Sequence, residues 1–185
     1  MSATRIERNR TVLLVIDVQE RLLPVIAGAE ELQKRVGVMV DGAAALGVPA
    51  LFTEQYPKGL GHTVPELAER LAPASPVEKV SFSCCGVGEI DAALAKIAPA
   101  TVLVVGIETH VCVLQTCLDL LGRGMTPVLV ADCVGSRHEA DHHYAIERLR
   151  DAGAIVSTAE SVLFELTGTA GTDEFRQISR LVKPL

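Results

Sequence analysis

The chain has 185 residues, 49% of them apolar and 22% charged, and a formal net charge of −6. It is long enough to enclose a core without metals or disulfides and too apolar to be disordered or of low complexity. The acidic balance and the lack of any Lys/Arg run argue against a nucleic-acid partner, which needs clustered positive charge facing its phosphates. No apolar stretch approaches the roughly 18 to 20 residues that cross a bilayer, so no membrane partner is expected. Residues 1–10 are polar rather than signal-like. Five cysteines at 84, 85, 112, 117 and 133 match neither a disulfide framework nor zinc-knuckle spacing. The expectation is one globular domain over residues 1–185, with reduced thiols and a cytoplasmic address.

In chain order, residues 11–16 form a short, apolar, β-branched run that reads as a buried strand closed by Asp17, with Gln19 two positions on. Helical period follows over 29–46, broken by Ala-Leu-Gly-Val-Pro at 45–49, and residues 49–53 read as the next strand. The Gly- and Pro-rich stretch 54–65 predicts a loop over the edge of the sheet. A short strand is expected at 77–80, a helix at 90–98, a strand at 101–107 and a helix at 109–121, the last ended by Gly-Arg-Gly at 122–124. A strand at 126–131, a helix at 140–152 and a strand at 154–157 complete the series. This alternation predicts an α/β fold: three α/β/α layers around a parallel sheet of about six strands.

In such sheets ligands bind beyond the carboxyl ends of the strands, which singles out the polar residues there. Asp17 sits at such an end, where it serves equally well as an ordinary helix cap. Cys112 falls three residues into the helix that Thr109 would cap. There free N–H groups and the helix dipole favour thiolate and could hold an oxyanion; the competing reading is a small buried apolar residue, which is how Cys84, Cys85, Cys117 and Cys133 are read. Lys79, taken alone, reads as a solvated lysine. It gains a role only if its segment lies beside the strand ending in Asp17. His138 and His142 share a helix face at i, i+4 but lack a third ligand at metal spacing, so no metal is expected. No P-loop or Gly-x-Gly-x-x-Gly run is present, and no cofactor is expected.

Together, Leu-Leu-Val-Ile-Asp17-Val-Gln19, Lys79-Val-Ser-Phe-Ser and Val-Val-Gly106-Ile-Glu-Thr-His-Val-Cys112-Val resemble, in order and spacing, the three motifs of the isochorismatase-like hydrolase superfamily. The resemblance covers about residues 10–165. Residues 53–61 and 112–121 are similar to the isochorismatase domain-containing proteins. The resemblance implies a six-stranded parallel sheet of Rossmann-like topology and a triad of Asp17, Lys79 and Cys112. In it the aspartate takes the thiol proton, the lysine supports the charged state and the cysteine attacks to form a thioester. It also implies a cis peptide at Ile107-Glu108, with the N–H groups of Glu108 and Cys112 facing the oxyanion. Gln19, Tyr56, Phe82 and His110 are the candidate substrate contacts.

Departures from the family pattern matter as well. The stretch 53–62 holds one histidine where the nicotinamidase branch carries an Asp-x-His-x-x-His metal site, and Cys112 stands where true isochorismatases, which cleave a vinyl ether, lack a nucleophilic cysteine. A small amide, imide, ureido or ester substrate is therefore expected. A vinyl-ether hydrolase without a cysteine nucleophile and a non-enzymatic scaffold remain open alternatives. The mixed apolar and polar segment 163–185 and the habit of relatives to assemble point to a homo-oligomer.

Overall fold

The apolar runs pair into one six-stranded parallel sheet. A computed structural model describes residues 5–185, so the first four residues of the polar N-terminal segment lie outside the described residues. The strands are β1 (Thr11–Ile16), β2 (Ala50–Gln55), β3 (Val77–Lys79), β4 (Thr101–Ile107), β5 (Thr126–Gly135) and β6 (Ile155–Ser157). Their order across the sheet is β3-β2-β1-β4-β5-β6, and every neighbouring pair is parallel. The helices are α1 (Ala29–Ala45), α2 (Pro57–Leu60), α3 (Pro65–Leu71), α4 (Gly88–Ile97), α5 (Leu114–Gly122), α6 (Glu139–Ala152), α7 (Ala159–Thr167) and α8 (Asp173–Val182).

Both faces of the sheet are covered, which is why the strands read as continuous apolar runs rather than as alternating ones. Leu13, Val15, Leu103, Val105, Ile107, Val128 and Val130 point to one side, where Val36, Met39 and Val40 of α1, Leu163 of α7 and Ile178 of α8 meet them. The intervening residues Val12, Leu14, Ile16, Val102, Val104 and Leu129 face the other side, against Ile90 and Leu94 of α4, Cys117 and Leu120 of α5, and Leu149 of α6. The chain steps outward from β1 to β2 and β3, then returns to place β4 on the other side of β1. That reversal opens a crevice at the carboxyl ends of β1 and β4, where ligands bind in open α/β sheets.

Close approach at this crevice depends on Gly106. It lies opposite Ile16 at φ +113°, and a Cβ there would sit 2.1 Å from the Ile16 carbonyl oxygen. Immediately after it, the Ile107-Glu108 peptide bond is cis, as is Ala72-Pro73.

The structure differs from the sequence expectation in four places. The helix expected at 109–121 divides into a five-residue π-turn, Thr109–Val113, followed by α5. The Glu108 carbonyl accepts from the Val111 N–H at 3.1 Å and from the Val113 N–H at 3.2 Å, so the first turn is wider than an α-helical one. Strand β5 continues to Gly135 rather than stopping at 131. Its pairing jumps from Leu129 opposite Val104 to Val134 opposite Gly106, and in the bulge Asp132 accepts from Arg35 Nη1 at 2.9 Å and from the Ala159 N–H at 2.8 Å. The stretch 54–65 is part strand and part helix, since β2 runs to Gln55 and α2 follows. Finally, segment 163–185 places apolar residues inside this chain: Leu163, Leu166, Ile178 and Val182 are buried, because α8 packs on α1 and α7. Those residues are therefore not interface material.

Candidate active site

Strand register assembles the first half of the site. Asp17 follows β1 at φ +53°, a left-handed conformation that aspartate tolerates better than most residues, and its N–H bonds the Thr53 carbonyl at 3.2 Å. Thr53 pairs with Ile16, and Lys79 pairs with Gln55 on the far side of β2. The Lys79 side chain reaches across β2: Nζ donates to Asp17 Oδ2 at 2.7 Å and to Gln55 Oε1 at 2.8 Å. The Phe82 and Ser81 carbonyls accept from it at 3.1 and 3.3 Å. The other Asp17 oxygen, Oδ1, accepts from Thr53 Oγ1 at 2.7 Å. Both charged side chains are fully buried. Burial works against the Lys79 ammonium, but Asp17 and the nearby thiols of Cys84 and Cys112 outweigh it and raise its pKa above the ordinary value. The solvated lysine of the bland sequence reading is thus a buried cation saturated with acceptors.

The second half comes from the turn after β4. Cys112 lies within the π-turn and is 5% exposed. Burial, then the Asp17 carboxylate, push its thiol well above the ordinary range, with Lys79 opposing them. This corrects the expectation of a thiol lowered by a helix N-terminus: Cys112 is not in the first turn of an α-helix, and burial and the neighbouring Asp17 raise its pKa rather than lower it. Thr109 does not cap the helix either. Glu108 holds the N-cap position, while the Thr109 hydroxyl pairs with His142 Nδ1 at 3.0 Å. His110 Nδ1 pairs with Ser136 Oγ at 3.0 Å. The Glu108 carboxylate turns to the start of α6, accepting from the Arg137 N–H at 3.0 Å and from Arg137 Nε at 3.2 Å. Three consecutive side chains therefore fasten the cysteine turn to the β5–α6 junction.

Asp17, Lys79 and Cys112 are brought together, and the other sequence candidates divide. Gln19 is not placed to touch substrate. It is fully buried, its Nε2 donates to the carbonyls of Gln55 and Gly61, and its Oε1 accepts from the Gln55 N–H. A side chain with that many internal partners is a brace for the turn between β2 and α3. Tyr56 and Phe82 are about half exposed, and Val80 beside them is 81% exposed, so an apolar rim borders Lys79. His138 is the N-cap residue of α6 and His142 is engaged by Thr109. Among the described residues no group of three or more His, Cys, Asp or Glu is placed to hold a metal.

Thr53, Gln55, Cys84 and Arg137 were not foreseen as site residues. The signal for the first two was available: they are polar residues in the last three positions of β2, beside the strand end that Asp17 follows. A groove of about 1110 Å³ lies across α1, α3 and α8 and shares no residue with the triad. Its charges are largely spent on one another, as in the Arg70–Asp41 and Lys34–Glu31 pairs.

These features define a three-layer α/β protein whose ionisable residues gather at the carboxyl edge of a parallel sheet, at its switch point. Comparison with known proteins gives the family. The isochorismatase domain model matches residues 11–161. Isochorismatase domain-containing protein 1 of Danio rerio is 41% identical over 175 residues, an alignment covering 94% of this chain and 61% of the relative, so this chain spans less than two thirds of that protein's length. The secreted isochorismatase effector Isc1 of Phytophthora sojae (strain P6497) is 40% identical over 97% of this chain and 87% of its own. Among solved structures, the MAR1 ribonuclease from Caenorhabditis elegans superposes with a TM-score of 0.91 at 40% identity, covering 97% of this chain and 92% of that one. The chain belongs to the isochorismatase family.

Proposed function

We propose that the protein is a cysteine hydrolase that cleaves the C–N bond of a small amide, imide or ureido compound through a thioester on Cys112. The observation that carries this is the buried Lys79–Asp17 pair, 2.7 Å between Nζ and Oδ2, set beside the buried Cys112 thiol, whose pKa burial and Asp17 raise. Moving the proton from Cys112 to Asp17 exchanges a carboxylate for a thiolate and leaves the net charge of the cluster unchanged. The Lys79 ammonium faces one anion before the transfer and one after it. A buried site carries out such a transfer without having to stabilise any additional charge.

In the first half-reaction the Cys112 sulfur attacks the substrate carbonyl carbon as Asp17 accepts its proton. The carbonyl oxygen takes up the electron pair facing the N–H groups of Glu108 and Cys112. Collapse of the tetrahedral intermediate breaks the C–N bond, and Asp17 returns the proton to the departing nitrogen, releasing ammonia or an amine. In the second half-reaction water attacks the thioester as Asp17 accepts its proton. Collapse expels the Cys112 sulfur, which is reprotonated from Asp17, and the acid product leaves. Tyr56, Phe82 and His110 are the proposed substrate contacts. The apolar rim of Tyr56 and Phe82 suits a compact substrate with an uncharged face.

A polyanionic substrate, as the name of the C. elegans relative suggests for that protein, is less well served here. The net charge is −6 and the cation nearest the thiol has its donors filled from within. The five free, buried thiols suit a reducing, cytoplasmic setting. The exposed Tyr56, Val80, Phe82 and Tyr144 side chains suit a homo-oligomer that covers some of them, which light scattering measures directly.

The deciding experiment is turnover of a panel of small amides, carbamoyl compounds and esters, with a vinyl ether and a short RNA included, by wild type and Cys112→Ala, with intact mass spectrometry of the quenched enzyme. A covalent acyl adduct on the wild type, lost together with turnover in Cys112→Ala, is expected. Turnover that survives in Cys112→Ala overturns the nucleophile and favours vinyl-ether chemistry. No cysteine-dependent turnover anywhere in the panel favours a scaffold.

A further inference from the structure

The Asp17 carboxylate is held at both oxygens, and only one of the two contacts belongs to the triad. Lys79 Nζ occupies Oδ2; Thr53 Oγ1, itself 1% exposed, occupies Oδ1 at 2.7 Å. Beyond Thr53 lies Cys84, fully buried, with its sulfur 3.9 Å from Thr53 Oγ1. The backbone N–H of Cys84 is fixed in turn by Thr116 Oγ1 at 3.0 Å.

The proton directions along this line follow from counting. An ionised carboxylate only accepts, and a threonine hydroxyl has one proton, so Thr53 donates to Asp17. The Thr53 oxygen then has only lone pairs to offer Cys84, and the S–H of Cys84 must be the donor. A neutral thiol is required for that, in keeping with the burial that pushes Cys84 up to about 11. The sulfur contact is long, so Cys84 is the weaker tether.

We infer that Thr53 is a positioning residue for the reaction: its hydroxyl, backed by Cys84, fixes the rotation of the Asp17 carboxylate so that it faces the Cys112 thiol. The inference rests on the proposed role of Asp17 as proton acceptor for Cys112. Without Thr53, the carboxylate keeps its tether to Lys79 but turns about its Cβ–Cγ bond at the other end. A donor to the charged carboxylate also favours that form, so removing it alters the pH response as well as the rate. A residue that merely filled space would leave that response unmoved.

The test follows carbamidomethylation of Cys112 by iodoacetamide, read by peptide mass mapping between pH 5 and 10. Proteins compared are wild type, Asp17→Asn, Thr53→Val, Thr53→Ser and Cys84→Ala. A hydrogen bond to a charged group sets the scale, so Thr53→Val is expected to slow alkylation near neutral pH by roughly 10- to 100-fold and to move the acidic limb of the profile to higher pH. Thr53→Ser is expected to stay within about threefold of wild type, and Cys84→Ala to lie between them. If Thr53→Val matches wild type in rate and profile, the inference is overturned. It is equally overturned if Thr53→Ser loses as much as a roughly tenfold effect, because the methyl group rather than the hydroxyl would then matter; this arm also decides the question if the valine variant does not fold. Alkylation that is indifferent to Asp17→Asn sinks the proposed base itself, whereas dependence on Asp17 without dependence on the Thr53 hydroxyl sinks only the positioning role.

Discussion

Lys79 and Gln19 are both polar residues buried at the mouth of a crevice, and their hydrogen-bond partners assign them different work. Lys79 holds four acceptors, one of them ionised. Replacing it with Met removes the cation and leaves Asp17 a buried carboxylate with only Thr53 opposite. Breaking one side of a buried ion pair costs about 3 to 5 kcal/mol. Lys79→Met is therefore expected to lower the unfolding free energy measured by urea denaturation by that amount and to abolish cysteine-dependent turnover; a variant as stable as wild type would mean that the pair is better solvated than its burial indicates. Gln19 makes three hydrogen bonds, all to backbone groups of residues 55 and 61. Gln19→Leu leaves a buried N–H and buried carbonyls unpaired, a loss of about 1 to 3 kcal/mol. Its particular signature is expected to be faster proteolytic cleavage within residues 56–62, because the brace ties that segment to β1. Unchanged cleavage there would contradict the bracing role.

Among the elements, the central pair β1 and β4 sets the position of the chemistry, since Asp17 leaves one and the Cys112 turn leaves the other. Gly106 is the contact that cannot be rebuilt. Its φ of +113° and the Ile16 backbone 2.1 Å from a modest methyl group mean that Gly106→Ala must both strain its own backbone and push the two central strands apart. The expected loss is about 3 kcal/mol or more, seen as a drop in urea midpoint with weaker Cys112 alkylation. A change under about 1 kcal/mol would show that the strands can shift to accept it. Strands of this kind were legible in the sequence because a sheet buried on both faces writes itself as unbroken runs such as Val12 to Ile16. The chemistry was legible only as a pattern: Asp17 could be placed at a strand end, but nothing local to Lys79 reveals that β3 pairs outside β2 and delivers its ammonium across that strand. The Cys112 turn was misread for a related reason. Thr109 has the chemistry of a cap, yet its hydroxyl is claimed by His142, 33 residues away, a tertiary contact that outweighs the local preference. The bulge at Asp132 broke the apolar pattern of β5 and shortened the strand on paper.

At the scale of the whole molecule, two cores share every long strand of one sheet, so neither helical layer can leave without exposing the strands that serve the other. Unfolding as one cooperative transition is the expected result, measurable as coincident loss of far-UV signal and of thiol protection. The same burial sets an alkaline limit. All five thiols are raised above the ordinary value of 9.0, Cys85, Cys112, Cys117 and Cys133 as well as Cys84, and burial is the first cause in each. The folded chain therefore holds thiol protons that the unfolded chain releases above about pH 9, and stability falls as pH rises from there, by up to about 1.4 kcal/mol per pH unit for each thiol. Lys79, also raised, adds to the loss above its ordinary value of 10.5, since its contribution is complete below that value and disappears as pH climbs through the folded one. Urea midpoints at pH 8, 9 and 10 should show a flat region followed by a steep decline. Cys117→Ala, on the buried face of α5 and perturbed by burial and by the Cys84 and Cys85 thiols rather than by Asp17 or Lys79, should start lower because of the cavity it leaves but decline less steeply, by about one thiol's share of the slope. Parallel declines in the two proteins would mean that Cys117 ionises alike in both states, and that the alkaline limit comes from charge elsewhere on the chain.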